Sequence, residues 1–304
     1  MTIVFKVSDN VKEKMIEYYQ DKRREKTPPY AIFQAMEADT IITLYESGKV
    51  MFQGISADID ANLWKDMEKH LNNVYVDTTP TEEKKEEVDK TYYYYSAIGS
   101  DEVGTGDYFF PIVVTACFMD KKDIKFLEEL GVHDSKKLTD EKIKRCAPYI
   151  IKRIPYETLI LSNKEYNEYH AKGYNMNKIK AIMHNKVLYK MKNKGFSYQK
   201  IIVDQFAIPP VYYSYLKDAT EKVTNITFMT KAEDKNLSVA CASIISRYVF
   251  LNEKKKLEEK LGMTIPLGAG VKVDEVGKEI VKKHGKNILN EISKISFKNT
   301  DRIL

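Results

Sequence analysis

The sequence predicts a layered α/β domain preceded by a smaller α+β domain. From residue 92 onward, short apolar strand-like segments alternate with helical ones, which is typical of an α/β fold. Residues 1–76 combine two helical segments with several short strands. Residues 77–91 are polar, nearly free of apolar side chains and contain a proline, as expected of a linker. We therefore expect domains at 1–76 and 92–304, joined by a linker at 77–91.

The N-terminal segments predict two helices and a small antiparallel sheet. Apolar residues at helical spacing indicate a helix over 10–24 and an amphipathic helix over 57–72. The apolar residues of the second helix, Ile59, Leu63, Met67 and Leu71, recur every four positions. Strands are expected at 3–7, 30–35, 40–45 and 49–53, with a hairpin turn between the last two. Two helices on such a sheet leave one sheet face free.

The C-terminal segments alternate between patterns typical of strands and patterns typical of helices. The second strand of this region is almost wholly apolar, so we expect it to be buried. The helix over 175–194 places five apolar residues on one face. Strands are expected at 93–100, 111–119, 156–161, 200–203 and 225–229, and helices at 139–152, 175–194 and 238–260.

Composition narrows the class of protein. Hydrophobic residues make up 43% and charged residues 31% of the chain, which is the balance of a folded protein. The three cysteines are far apart, which argues against a zinc site or a disulfide framework and for a reducing compartment. We find no signal peptide and no apolar run of membrane-spanning length. We expect a cytoplasmic protein with no membrane association and no evident obligate protein partner.

Charge is distributed unevenly along the chain. The formal net charge is +5, but residues 1–90 carry −5 and the remainder carries +10. A basic C-terminal part suits a surface that meets phosphates. Solvated lysines on an ordinary surface would give the same balance, so the charge alone leaves both interpretations open.

The most informative segment is the pair Asp101-Glu102, which follows an apolar strand and precedes Gly104-Thr105-Gly106. Two like charges about 4 Å apart repel by roughly 4 kcal/mol at an effective dielectric constant of about 20. A divalent cation removes that penalty, and glycines allow a phosphate backbone to approach closely. The segment therefore indicates a metal-dependent site that acts on a phosphorylated polymer, provided other carboxylates converge on it.

Further carboxylates are placed where they could converge. Asp204 follows the buried strand at 200–203, and Glu233 and Asp234 precede a helix of small residues. Ligands gather beyond the carboxyl ends of strands in open α/β sheets. Because neighbouring strand residues point to opposite faces, Asp101 and Glu102 can share a site only if the strand breaks there, which Gly104 permits. Such oxygen ligands suit Mg²⁺ or Mn²⁺, and two ions can hydrolyse a phosphodiester.

Several ordered motifs resemble the bacterial type 2 ribonuclease H group, in its ribonuclease HIII branch. The first is Asp-Glu-Val-Gly-Thr-Gly-Asp-Tyr-Phe at 101–109. An N-terminal segment, Ser-Gly-Lys-Val-Met-Phe-Gln-Gly at 47–54, resembles the extra domain of this branch. Further matches lie at 33–35, 132–138, 172–177, 183–185, 203–206, 230–233, 242–247, 266–270 and 297–300.

The resemblance implies a ribonuclease H-like catalytic domain, with a mixed sheet flanked by helices, and a TATA-box-binding-protein-like N-terminal domain. It implies cleavage of the RNA strand of RNA–DNA hybrids with Mg²⁺ or Mn²⁺, leaving 3′-hydroxyl and 5′-phosphate ends. Carried over by motif, Asp101, Glu102 and Asp204 are metal ligands. The motif favours Glu233 as the fourth acid, and its neighbour Asp234 stays an alternative.

Departures from the family pattern and candidate substrate contacts complete the prediction. Phe110 stands where the family usually has glycine, and could reshape the rim of the site. The candidate contacts are Gly104, Thr105 and Gly106 against RNA 2′-hydroxyls, and Ser135, Lys136 and Lys137 against phosphates. A simple tight turn and ordinary solvated lysines are the respective alternatives. His184, next to the buried face of its helix, is expected to be a structural histidine.

Two other functions compete with hybrid cleavage. A noncatalytic nucleic-acid-binding protein would have a degenerate acidic site, whereas every motif here keeps its acid. A ribonuclease HII-like enzyme would act on single ribonucleotides in DNA. The N-terminal domain, and Gly-Thr-Gly in place of that branch's Gly-Arg-Gly, disfavour it.

Overall fold

The chain divides into two units, Met1–Glu87 and Val88–Leu304, each with its own apolar core. In this computed structural model the described residues are 2–37, 39–54, 57–76, 90–132 and 138–304. The predicted linker lies largely outside these ranges. Within them, no helix has the length and apolar character needed to cross a membrane.

The first unit is an antiparallel sheet with two helices packed on one face. Its strands are β1 (Thr2–Lys6), β2 (Ala31–Glu37), β3 (Thr40–Tyr45) and β4 (Lys49–Gly54), in the order β1-β4-β3-β2. Its helices are α1 (Asp9–Tyr18) and α2 (Ala57–Asn72). Alternate strand residues such as Phe33, Leu44 and Phe52 join the helices in one core. The opposite sheet face carries polar side chains, including Gln34, which donates to Thr43.

Two expectations for this unit need correction. The first helix ends at Tyr18 rather than at residue 24, and a short 3₁₀ turn follows it. The bounds of α2 are as predicted, but its buried face is Ala57, Ala61, Trp64 and Glu68. Ile59, Leu63 and Leu71 are exposed, and only Met67 of the predicted stripe packs against the core. Glu68 is buried because its carboxylate accepts hydrogen bonds from the backbone N–H and the hydroxyl of Ser8.

The second unit is built on a mixed five-stranded sheet in the order β7-β6-β5-β8-β9. Strands β5, β8 and β9 are parallel, and β6 is antiparallel to both of its neighbours. The strands are β5 (Ala97–Val103), β6 (Ile112–Met119), β7 (Tyr156–Leu161), β8 (Lys200–Asp204) and β9 (Ile226–Met229). The helices are α3 (Ile124–Glu129), α4 (Asp140–Arg153), α5 (Asn163–Ala171), α6 (Met176–Lys192), α7 (Pro209–Tyr215), α8 (Ala232–Lys235), α9 (Leu237–Leu261), α10 (Val271–His284), α11 (Leu289–Ile292) and α12 (Asn299–Ile303).

Helices cover both faces of this sheet. Helix α6 packs its predicted stripe, including Ile179, Met183 and Val187, against one face. Helix α9 packs against the other face through its small residues. The approach is close because Gly99 of β5 has no side chain: a Cβ there would lie 2.3 Å from the hydroxyl of Ser238. The small residues at the start of α9 therefore place it directly behind β5.

The strand that carries the acidic pair differs from the prediction. It begins at Ala97 rather than at residue 93, and the preceding tyrosines form a 3₁₀ turn and a bend. It also continues through Asp101 and Glu102 to Val103. The break that was expected near Gly104 therefore comes after both acids, not between them.

Candidate active site at the carboxyl ends of two parallel strands

The neighbouring strands β5 and β8 bring two of the predicted acids to one edge of the sheet. The strands are parallel, and Ser100 is paired with Val203. The next residue of each strand is Asp101 in β5 and Asp204 in β8. These two carboxylates therefore lie side by side where both strands end, the position at which open α/β sheets bind ligands.

Asp101 points toward helix α9. Its carboxylate accepts a hydrogen bond from the side chain of Ser243, and the Ser246 hydroxyl donates to its main-chain oxygen at 3.2 Å. Burial raises the pKa of the Asp101 carboxyl to about 8, and the negative charges of Glu102 and Glu233 act in the same direction. Asp101 is thus a half-buried carboxyl group beside two other acids.

Glu102 points toward helix α6, on the opposite face of the strand. Lys180 forms an ion pair with its Oε1, and His184 Nε2 donates to its Oε2 at 2.9 Å. Burial works against ionisation here, but the hydrogen bonds and charges of His184 and Lys180 lower the pKa of Glu102 to about 2. Because neighbouring strand residues point to opposite faces, Asp101 lies beside other acids, whereas Glu102 lies beside a lysine and a histidine.

The fourth predicted acid lies in a tight segment beside Asp204. The backbone N–H of Ala232 donates to Asp204 Oδ1 at 3.0 Å. Lys231 has a left-handed conformation, with φ of 54°, and α8 starts immediately after it. Glu233 and Asp234 both lie in the first turn of α8, and the charge of Glu233 reaches Asp101. Asp101, Asp204 and Glu233 are thus brought to one edge.

The carboxylate oxygens at this edge suit a divalent cation, although their side chains are not arranged around one metal position. Among the residues that the structure describes, no group of three His, Cys, Asp or Glu side chains is placed to hold a metal ion. Glu102 directs its oxygens to α6 instead of to Asp101. Burial and the neighbouring acids raise the pKa of Asp101, and a hard cation with oxygen ligands would favour its ionised form.

The Gly-Thr-Gly segment forms the turn directly after β5. Gly104 has a φ of +88°, and a Cβ there would lie 2.1 Å from the carbonyl oxygen of Pro111. Gly106 is exposed, and a Cβ there would meet nothing within 4 Å. Gly104 is therefore required by the fold, whereas Gly106 leaves open space at the surface. The predicted phosphate contacts Ser135, Lys136 and Lys137 lie outside the described residues.

The residues that follow this turn are held in place by buried side chains. Phe110 is fully buried and packs edge-on against Phe250, with ring centroids 5.5 Å apart, so its own side chain does not line the surface of the site, and a reshaped rim stays a prediction. Lys294 is also buried, and its ammonium donates to the carbonyl oxygens of Asp107, at 2.6 Å, and of Phe110. This lysine fixes the segment that leads from the turn into β6.

Lys180 and His184 are the residues that sequence reasoning missed. His184 was expected to be structural, and it is fully buried, with Nδ1 2.8 Å from the Ser100 hydroxyl. Its contact with Glu102 was not foreseen. The available signal was the spacing of Lys180 and His184, which puts both on one helix face within a stretch that is otherwise apolar.

The chain is similar to known ribonucleases over nearly its full length. The profile of the ribonuclease HII family matches residues 98–300, and that of a domain of unknown function matches residues 2–74. A protein named ribonuclease HIII from Bacillus licheniformis is 42% identical over 98% of this chain and 96% of its own length. Another of that name, from Bacillus cereus, is 40% identical over 99% of this chain and 97% of its own length.

A solved structure extends the similarity to the fold. The crystal structure of Bst-RNase HIII in complex with Mn²⁺ has a TM-score of 0.69 and 36% identity. The match covers 100% of this chain and 98% of that one. It includes both units, so the predicted combination of an RNase H-like domain and an N-terminal sheet domain is confirmed. At 42% identity to a protein of that name over 98% of this chain, and with a matching fold, the chain belongs to the ribonuclease HIII family.

Proposed function

We propose that this protein is an endoribonuclease that hydrolyses the RNA strand of RNA–DNA hybrids by a two-metal-ion mechanism, leaving 3′-hydroxyl and 5′-phosphate ends. Membership of the ribonuclease HIII family makes it a metal-dependent ribonuclease H. The observation that carries the proposal is the placement of Asp101 and Asp204 at adjacent strand ends, within a match that spans the whole chain.

The carboxylates are assigned by their positions. Asp101 and Asp204 are proposed as the central ligands of Mg²⁺ or Mn²⁺. Because β5 does not break between Asp101 and Glu102, Glu102 is proposed as a ligand only through a side-chain change that releases an oxygen from α6. Glu233 is preferred to Asp234 as the fourth ligand because its charge acts on Asp101. When bound, the ions would activate the attacking water and stabilise the leaving oxygen.

The turn at Gly104-Thr105-Gly106 is proposed to contact the RNA strand. Thr105 is partly buried and Gly106 is exposed with open space around it, so backbone groups there are accessible to a substrate. The 2′-hydroxyl groups that distinguish RNA from DNA are suitable partners for the backbone and for the Thr105 hydroxyl. Ser135, Lys136 and Lys137 remain proposed phosphate contacts on the basis of sequence.

The N-terminal sheet is proposed to bind the hybrid with the face opposite its helices. Lys49 and Gln53 of β4 are exposed on that face. Tyr45 of the neighbouring β3 and Gln34 of β2, the next strand, are partly buried. Such side chains can contact phosphate and sugar groups without reading sequence. This assignment supports recognition by shape, because the unit itself is not basic.

A substrate comparison tests the proposed activity. Wild-type protein should cut a long RNA–DNA hybrid at internal positions of the RNA strand, with a 5′-phosphate on each downstream fragment. It should cut a DNA duplex that contains one embedded ribonucleotide much more slowly. The reverse preference would favour the ribonuclease HII-like alternative. Binding of hybrid without cleavage, in Mg²⁺ and in Mn²⁺, would favour the noncatalytic alternative.

A cytoplasmic location is part of the proposal. Cys117, Cys146 and Cys241 are free and buried, which suits a compartment that keeps thiols reduced. The RNA–DNA hybrid is the proposed partner, and no obligate protein partner is proposed.

A further inference from the structure

Helix α6 occupies both oxygens of the Glu102 carboxylate. Lys180 is paired with Oε1, and His184 Nε2 lies 2.9 Å from Oε2. The side chains of Lys180 and Glu102 are only 11% and 13% exposed. Each oxygen of the acid that is proposed as a metal ligand thus has a protein donor.

The two donors differ in their freedom to move. His184 is fully buried, and its other ring nitrogen lies 2.8 Å from the Ser100 hydroxyl. Its ring also packs against Phe206, with centroids 5.3 Å apart. Because both nitrogens are engaged, His184 fixes the orientation of the carboxylate, as outer-shell partners do at metal sites. Lys180 instead reaches Oε1 with a flexible four-carbon side chain.

The Lys180 ammonium has a second favourable contact besides Oε1. It lies 4.1 Å from the centroid of the Phe206 ring, and a cation over an aromatic face is stabilised by the ring quadrupole. Phe206 follows Asp204 by two residues, so this ring borders the carboxylate edge. A small movement of the ammonium away from Oε1 would keep it over this ring.

We propose that Lys180 is an internal counter-ion for Glu102, which holds Oε1 in the metal-free protein and gives it up when a divalent cation binds. The inference rests on the proposed role of Glu102 as a metal ligand, and it adds a residue that sets how tightly the cation is held. A buried carboxylate left without a partner is strongly unfavourable. The exchange of one cation for another avoids that state throughout.

This role has consequences of opposite sign. Because the ammonium competes with the metal for the same oxygen, Lys180 weakens cation binding. Because it neutralises a buried acid, Lys180 stabilises the metal-free protein. A lysine that served only in packing would stabilise the metal-free and the metal-loaded protein alike, and would leave cation affinity unchanged.

Mn²⁺ binding to the metal-free full chain tests the first consequence. Free Mn²⁺ is measured by electron paramagnetic resonance for wild type, Lys180→Met, Lys186→Met and Asp101→Asn. Lys186 is an exposed lysine of the same helix, so its variant changes the net charge equally. We expect Lys180→Met to bind Mn²⁺ about tenfold more tightly or better, and Lys186→Met to match wild type.

The outcomes separate this inference from the proposed function. Suppose that wild type binds Mn²⁺, that Asp101→Asn weakens this binding, and that Lys180→Met does not tighten it. That result would overturn the counter-ion role alone. Absence of Mn²⁺ binding by wild type would overturn the proposed metal site and the counter-ion with it.

Denaturation by urea, in EDTA and in saturating Mn²⁺, tests whether Lys180 stabilises the metal-free protein. It also gives a result if Lys180→Met is too unstable for the binding assay. Lys180→Met should lower the urea midpoint in EDTA, and Mn²⁺ should restore most of the loss. The double variant Glu102→Gln/Lys180→Met, which removes both charges, should regain stability in EDTA and bind Mn²⁺ no more tightly than wild type. A double variant as unstable in EDTA as Lys180→Met would show that Lys180 only packs, and the inference would be wrong.

Discussion

At the scale of single residues, the main feature is that two adjacent acids have opposite environments. Asp101 is half-buried beside other negative charges, which raises its pKa to about 8. Glu102, one residue later, faces a lysine and a histidine, and its pKa is lowered to about 2. The alternation of side chains along β5 produces this difference, because it turns the two carboxyl groups to opposite faces of the strand.

The central carboxylates can be neutralised individually. Asp101→Asn and Asp204→Asn should each lower the cleavage rate on the order of a thousandfold or more, which corresponds to about 4 kcal/mol of transition-state stabilisation. Hybrid affinity, measured by fluorescence anisotropy, should change little because the substrate contacts remain. Near-normal rates in both variants would show that the metal site lies elsewhere.

The ambiguity between neighbouring acids in α8 is resolved by two separate variants. Glu233→Gln should reduce cleavage and weaken Mn²⁺ binding, because Glu233 is the acid whose charge reaches Asp101. Asp234→Asn, the matched control one residue away, should stay close to wild type in both assays. A larger loss in Asp234→Asn would reverse the assignment.

At the scale of secondary-structure elements, the sequence predicted most of the frame of the site. The bounds of β3, β7 and α2 match the prediction, and β8 and α6 differ from it by at most two residues. Prediction was weaker where tertiary contacts override periodicity. In α2 three of the four residues of the regular stripe are exposed, because Trp64 and Glu68 find specific partners in Tyr19 and Ser8. The contacts of Glu102 were missed because they come from a helix 78 residues later in the chain, at Lys180.

The turn after β5 should tolerate a methyl group at only one of its glycines. Gly104→Ala would place Cβ against the Pro111 carbonyl and force an alanine into a left-handed conformation, which should cost at least about 1–3 kcal/mol of stability. Gly106→Ala meets nothing within 4 Å and should keep wild-type stability. Urea denaturation of both variants measures the difference, and equal stabilities would contradict this geometry of the turn.

Lys294, which holds the segment after that turn, predicts a stability that depends on pH. Burial lowers the pKa of Lys294 to about 7, well below that of an unfolded lysine at about 10.5. The unfolded chain therefore binds more protons between these values, and the Lys294 contribution to stability rises with pH by up to about 1.4 kcal/mol per unit. Below about pH 7 the buried charge is fully unfavourable.

Urea denaturation between pH 6 and pH 10 checks this prediction. The difference in free energy of unfolding between wild type and Lys294→Met should move in favour of wild type as the pH rises. Lys298→Met, an exposed control four residues away, should differ from wild type by a constant amount. A difference for Lys294→Met that does not vary with pH would contradict the low pKa.

At the scale of the whole molecule, we assign catalysis and hybrid binding to different units. The C-terminal unit contains every acid of the candidate site, and the N-terminal unit offers a sheet face without helices. The sequence predicts domains at 1–76 and 92–304 from the polar segment at 77–91, and that placement of the boundaries stays a prediction. The sequence could not supply the placement of side chains on β5 and α6, since that follows from the packing of distant segments.

Loss of the N-terminal unit should affect binding more than chemistry. Deletion of residues 1–76 should raise the dissociation constant for hybrid by roughly tenfold or more, with a smaller effect on the rate at saturating substrate. A full-length variant with Lys49→Ala and Gln53→Ala should weaken binding in the same direction. Unchanged affinity in both would refute a binding role for this unit.

The most direct test of the account is cleavage of a hybrid whose RNA strand is labelled, by wild type and by Asp101→Asn, in Mg²⁺, in Mn²⁺ and in EDTA. We predict internal cuts in the RNA strand by wild type with either metal, none in EDTA, and almost none with Asp101→Asn. RNA cleavage that persists in EDTA or in Asp101→Asn, or a wild type that leaves the RNA intact with both metals, would contradict a metal-dependent site at the ends of β5 and β8.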